Sequence, residues 1–305
     1  MGRLFNKFVN KESTMKGIFA LCAFFSIIAL ALITLFLFFN GVPFIAEKGL
    51  FNIVFGTNWA PLANEPSYGI FTMIVASLYV TALAVLIGLT FGVFTAVFLY
   101  KFCPKKLIAP IKQMIYLLAG IPSVIFGLFG MKIIVPFIRD YLSPTGVGYG
   151  ILAASVVLAI MVLPTIVSVS LDALLAVPKN YFEGALALGA TKEQATIKVM
   201  MPAAKSGIMA GAVLAIGRAI GETMAVIMVV GGSPEMPESL FQSVRTMTAN
   251  IAMGGTELSG DALSALIATG VVLFVFTLML NFSFSFFKKD KLNGQAGKRR
   301  KNEKA

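Results

Sequence analysis

Residues 183–202 read EGALALGATKEQATIKVMMP, a polar, helix-forming stretch wedged between two strongly apolar ones. Pro178 suits a first helical turn, residues 181–188 can form a short helix, and Gly189 is placed for the left-handed residue that ends one. Thr191, followed three residues on by Gln194, makes a capping box that opens a second helix at once. Pro202 is expected to stop or kink that helix before a Gly-rich apolar segment beginning at Gly207. The stretch predicts a helix-turn-helix elbow held at a membrane surface.

The rest of the chain supplies the membrane part. Of its 305 residues 58% are hydrophobic and only 13% charged, with a mean hydropathy of +0.88, which lies outside soluble globular composition. Six apolar runs, residues 18–39, 70–100, 113–138, 150–170, 207–232 and 262–287, each reach the roughly 20 residues that a hydrocarbon core about 30 Å thick requires of a helix. The predicted fold class is therefore all-α, a polytopic membrane protein with six transmembrane helices.

Basic residues assign the sides, because Lys and Arg are retained in the cytoplasm. They crowd the N-terminus (Arg3, Lys7, Lys11, Lys16), the second-to-third connection (Lys101, Lys105, Lys106, Lys112), the elbow (Lys179, Lys192, Lys198, Lys205) and the tail from Lys288. The opposite loops hold Lys48, Arg139 and Arg245. Both termini and the elbow are expected in the cytoplasm, which requires an even number of spans. The net charge of +11 sits in juxtamembrane segments that meet lipid headgroups, so a membrane surface rather than nucleic acid is the expected polyanion. Cys22 and Cys103 indicate no disulfide framework. The first apolar run exceeds a signal-peptide h-region and is expected to stay as an uncleaved helix.

Three regions follow: 1–69, a cytoplasmic segment, first span and external cap, with Trp59 at the membrane interface; 70–287, a transmembrane core containing a cytoplasmic coupling loop at 171–206; and 288–305, a mobile, basic cytoplasmic tail. In the third run, Pro122 in Gly120-Ile121-Pro122-Ser123 removes a backbone donor and predicts a kinked or broken helix. Residues 240–253, in a second external excursion, can form a short amphipathic or re-entrant helix. Gly88 with Gly92, Gly207 with Gly211 and Gly217 with Gly221 recur at helix-packing spacing.

Arg218 and Glu222 fall inside the fifth run. Intramembrane charge costs roughly 2.5–3.5 kcal/mol per residue even on the lenient insertion scale, so a functional role is the default. Their i,i+4 spacing would place both on one helix face, where they could neutralise each other. Either a packing salt bridge or a solute path satisfies this pattern. A planar guanidinium, charged at any physiological pH, suits an oxyanion.

The elbow resembles the E-A-A-x3-G-x9-I-x-L-P loop of ABC importer permeases: Glu183, Gly184 and Ala185, then Gly189, then Val199, Met201 and Pro202 stand at matching spacing, with Gly184, Val199 and Met201 replacing the consensus residues. Gly217-Arg218-Ala219-Ile220-Gly221-Glu222-Thr223-Met224-Ala225-Val226 is similar to permeases for tetrahedral oxyanions, and with Ile121-Pro122-Ser123-Val124-Ile125-Phe126-Gly127-Leu128-Phe129-Gly130 to the phosphate permeases among them. These matches cover roughly residues 70–287.

The resemblance implies a type I importer fold and a permease subunit in a bacterial cytoplasmic membrane, moving inorganic phosphate inward by alternating access. By that likeness Arg218 and Glu222 line the path, with Lys132 a weaker candidate for which snorkelling is the alternative; Glu183, Gly184, Ala185, Gly189, Val199, Met201 and Pro202 couple to an ATPase. The implied partners are a homologous second permease subunit (PstA-like), a cytoplasmic ABC ATPase (PstB-like) and an extracytoplasmic phosphate-binding protein (PstS-like). Sulfate or molybdate are the alternative cargoes. An ion-coupled secondary transporter would call for inverted repeats, and none is evident. Gly184-x4-Gly189 is followed by Ala190-Thr191-Lys192, which lacks the Lys and Ser/Thr of a P-loop, so ATP and Mg are expected on the partner and no cofactor on this chain. No metal-binding or nucleophile motif suggests an enzyme.

Overall fold

The computed structural model describes the backbone of residues 2–255 and 257–302 and the side chains of 15–255 and 257–282. The first apolar run lies in α1 (Gly2–Lys48), which passes Pro43 without ending. A small cap follows, α2 (Leu50–Phe55) and an antiparallel hairpin of β1 (Trp59–Ala60) and β2 (Ser67–Tyr68), before α3 (Phe71–Val97) and its π-helical end Phe98–Phe102. Trp59, expected at the membrane interface, belongs to the core of this cap. It is buried with Phe44 of α1, Ile53, Ile70 and Met73 of α3, because so short a hairpin has no core of its own and its indole fills the space beneath it.

The third run is broken rather than kinked. α4 (Lys105–Ala119) ends at Gly120, and Pro122 (φ −58°, ψ 141°) holds the extended conformation that starts α5 (Ser123–Phe129). A π-turn, Gly130–Ile134, leads on to α6 (Val135–Tyr141), and the two halves meet at 96°. α7 (Ile151–Leu175) carries the fourth run. The elbow is α8 (Lys179–Ala187) and α9 (Lys192–Gln194), followed by a π-turn, Ala195–Met200, and α10 (Met201–Gly221). After α10 come α11 (Met224–Ile227), α12 (Met247–Gly254) and α13 (Asp261–Asn302).

Among the described residues five helices are long and apolar enough to cross a membrane, and the bent pair makes a sixth if its two halves form one span. The fifth differs from its expected bounds at both ends, since it is one helix of 30 residues, Lys192–Gly221. Pro202 neither stops nor breaks it. A proline ring crowds the carbonyl one turn back, and the wider π-turn immediately before Pro202 makes room for it. At 1.5 Å per residue the helix is about 45 Å long, more than the roughly 30 Å of hydrocarbon, so its first turns project beyond the membrane and belong to the elbow. The tail, expected to be mobile, continues α13 as far as Asn302, and its side chains lie outside the described residues.

The core is built by α3, α7 and α10. Lipid gives apolar helices no hydrophobic reason to associate, so close backbone approach has to do it. A Cβ at Gly92 would lie 2.6 Å from Ile166 Cγ2 and one at Gly88 3.0 Å from Val162 Cγ2, while Gly207 abuts Ala173. Ser155 Oγ, fully buried on α7, lies 2.7 Å from its own helix's Ile151 carbonyl and 3.2 Å from that of Val80 on α3.

Candidate functional site

The elbow folds from local signals. Pro178 is the N-cap of α8 rather than part of its first turn. At the other end Gly189 takes φ +87°, its N–H donating to the Leu186 carbonyl (2.9 Å) and that of Ala190 to the Ala185 carbonyl (3.1 Å), a Schellman closure. Thr191 then caps α9: its Oγ1 accepts from Gln194 N at 3.3 Å and its own N–H donates to Gln194 Oε1 at 3.2 Å. Hydrogen bonds from the Glu193 backbone and from Thr191 hold the exposed Glu193 carboxyl below the usual carboxylate range, which keeps a negative charge at the positive end of this helix.

The inner side of the elbow is anchored. Phe182, Ala195 and Met200 are buried among Val97, Leu99, Ile115, Leu171 and Leu174 at the ends of the spans, and Lys101 Nζ stands 4.0 Å from the Phe182 ring centroid. Burial of that one ring contributes about 1.5–3 kcal/mol and the cation–π contact roughly another 0.5–2. The outer side is bare. Glu183, Gly184, Gly189 and Pro202 are exposed, Ala185, Val199 and Met201 half-buried, and Leu188 is 91% exposed. Gly184, Ala185 and Val199 share a groove of about 620 Å³ with Tyr181, Leu188 and Lys198. An apolar groove on a rigid, otherwise polar elbow is the surface expected of a docking site.

At the far end of the same helix the backbone breaks. Glu222 is extended (φ −71°, ψ 129°), so it leaves α10 one residue after Gly221. Its Oε1 accepts the Ala225 N–H at 3.1 Å, capping α11, and its carbonyl accepts from Thr248 Oγ1 at 3.0 Å. Among the described residues no Arg218–Glu222 ion pair forms, because the Glu222 carboxylate turns to Ala225 instead. Arg218 is exposed in the last turn of α10, and among the described residues its side chain makes no ion pair or hydrogen bond. The negative end of the helix dipole favours a cation there. The surface beside it is open: a Cβ at Gly221 would meet nothing within 4 Å, and one at Gly217 only Asn281 Oδ1, at 4.0 Å.

The two broken runs meet. Gly127 of α5 is so close to α11 that an added Cβ would lie 2.7 Å from Met228 Sδ and 3.2 Å from Ala225 Cα. Lys132 is not brought to Arg218. It is exposed on the π-turn in a separate cleft of about 490 Å³, with Arg139 and Tyr149, and Arg139 is held by Asp140 (Nε to Oδ1, 2.7 Å).

Three polar residues beside the break escape sequence reasoning. Arg245 had been assigned to an outer loop, yet it is half-buried, its Nε donating to the Gly232 carbonyl at 2.7 Å and its Nη1 to Asn250 Oδ1 at 3.4 Å. Thr248 binds the Glu222 carbonyl and lies 3.2 Å from Thr246 Oγ1, and Asn250 is 2% exposed. The helix foreseen in 240–253 is α12, which begins only at Met247. The signal was the run Arg245-Thr246-Met247-Thr248-Ala249-Asn250, with four polar residues in six.

Residues 88–291 match the family described as binding-protein-dependent transport system inner membrane component. The chain belongs to that family. The permease is 39% identical over 272 residues to the probable ABC transporter permease protein YqgH of Bacillus subtilis, with 86% of this chain and 87% of that one covered. It is 35% identical to the phosphate transport system permease protein PstC of Mesorhizobium japonicum, with 75% and 76% covered. Among solved structures, its fold is similar to an inward-facing MetNI methionine ABC transporter chain at a TM-score of 0.59 and 21% identity, over 72% of this permease and 95% of that chain. The match spans both the elbow and the break.

Proposed function

We propose that this permease carries inorganic phosphate inward across a bacterial cytoplasmic membrane as the non-catalytic transmembrane subunit of an ATP-binding cassette importer. The observation that carries this reading is Arg218: a guanidinium with no anionic partner among the described residues, on an open helix face beside a backbone break, in a chain 35% identical to a phosphate transport permease. A planar, permanently charged fork of donors is suited to a tetrahedral oxyanion. The half-used Glu222 carboxylate adds acceptor capacity, which protonated phosphate can satisfy with its P–OH groups and sulfate cannot.

The chain binds no cofactor; ATP and Mg belong to a PstB-like ATPase that docks on the groove formed by Gly184, Ala185 and Val199. A PstS-like binding protein delivers phosphate from outside. A PstA-like second permease covers the open face of α10, and both termini and the elbow are cytoplasmic. The test is uptake of labelled phosphate, sulfate and molybdate by cells with and without the chain. Deletion should abolish phosphate uptake alone; loss of sulfate or molybdate uptake with phosphate uptake intact would overturn the cargo assignment.

A further inference from the structure

The groups around Arg245 are donors without an anion. Nε and Nη1 each meet a neutral acceptor, the Gly232 carbonyl and Asn250 Oδ1, and no carboxylate of the described residues pairs with the guanidinium. Of its five N–H groups, the two of Nη2 and one of Nη1 have no acceptor among the described residues. Asn250 uses its oxygen on Arg245, so its Nδ2 is fixed as the other end of the same amide. That Nδ2 is buried and has no hydrogen-bond partner among the described residues. A half-buried cation beside an orphaned donor lacks one thing, a negatively charged acceptor.

Position gives the site a role. Val244 pairs with Gly231, its N–H donating to the Val230 carbonyl at 3.1 Å, so Arg245 stands at the end of the fifth run that lies beyond the break. One turn later Thr248 reaches back to the Glu222 carbonyl. The Arg245–Asn250 pair therefore lies between the excursion at 233–243 and the break that Arg218 faces.

We propose that Arg245 and Asn250 form a second oxyanion station, on the outer side of the break, which receives the tetrahedral anion before Arg218 does. This rests on the reading of the chain as an oxyanion permease. The alternative is that Arg245 merely pins the Gly231–Val244 bridge, and the two roles respond oppositely to one isosteric change. Asn250→Asp keeps the shape, strengthens the bond to Arg245, removes the Nδ2 donor and neutralises the guanidinium.

The experiment is ATP-driven uptake of labelled phosphate into vesicles holding the complete complex, at saturating binding protein and equal amounts of assembled complex. Asn250→Asp is expected to lower the rate at least tenfold with no loss of thermal stability. A rate within twofold of the unmodified complex would overturn the station while leaving the phosphate reading intact. Absence of uptake by the unmodified complex would overturn both. Should Asn250→Asp fail to assemble, phenylglyoxal labelling of the unmodified complex, read peptide by peptide, decides. Phosphate should slow labelling of Arg245 several-fold, and labelling indifferent to phosphate would overturn the proposal.

Discussion

Glu222 does two jobs at one atom pair. Its Oε1 closes the N–H of Ala225, and its second oxygen has no partner among the described residues. A substitution can therefore separate backbone capping from charge. Glu222→Gln retains a side-chain oxygen for Ala225 and should assemble with an unchanged thermal midpoint while uptake falls. Glu222→Ala leaves that N–H uncapped and should cost about 0.5–2 kcal/mol, seen as a lowered midpoint of the solubilised complex. Equal midpoints for the two variants would remove Glu222 from the capping role. The charges themselves were legible, because ionised groups stand out in an apolar run. Their relation was not: an uninterrupted apolar pattern lets the two charges pair, and nothing in residues 217–226 marks where the backbone turns extended and draws the Glu222 carboxylate to Ala225. That turn is stabilised from a distance, by Thr248 in α12.

At the level of elements the elbow was the most readable part, since its Schellman closure and capping box are local devices whose residue types specify the backbone. Gly189 is decisive at φ +87°, where a β-branched side chain is strongly resisted. Gly189→Val should misdirect α8 relative to α9 and deform the groove shared by Gly184, Ala185 and Val199. The expected outcome is loss of ATPase co-purification with normal membrane insertion; ATPase retained at the ordinary ratio would leave the elbow as a plain connector. The third run shows the opposite limit. Pro122 announced a break, but the 96° bend depends on α5 packing against α11, a contact between residues a hundred positions apart. Pro202 does not stop its helix for a related reason, as the π-turn that accommodates it leaves no mark in the sequence.

For the whole molecule, an even number of crossings together with the distribution of Lys and Arg predicts that the ends of the chain and the elbow share the cytoplasmic side. In a variant with Cys22 and Cys103 replaced by Ser, a single cysteine at Lys192 should resist an impermeant thiol reagent in intact cells, whereas one at Asn58 or Glu238 should react. Labelling at position 192 from outside would invert the assignment. The long helix Lys192–Gly221 then has a mechanical meaning, because one continuous helix carries the proposed docking elbow at its start and Arg218 in its last turn. Movement of the elbow by a bound ATPase would be transmitted along it to the break.

The central claim, that Arg218 serves a passing oxyanion and not a structural ion pair, is tested most directly by the double variant Arg218→Gln with Glu222→Gln. If the two residues only neutralised each other, removing both charges would restore uptake relative to either single change, since no buried charge would be left unpaired. Arg218 has no such partner among the described residues, so labelled-phosphate uptake by equal amounts of assembled complex should stay as low in the double variant as in Arg218→Gln alone. Recovery in the double variant would contradict it and make the pair structural.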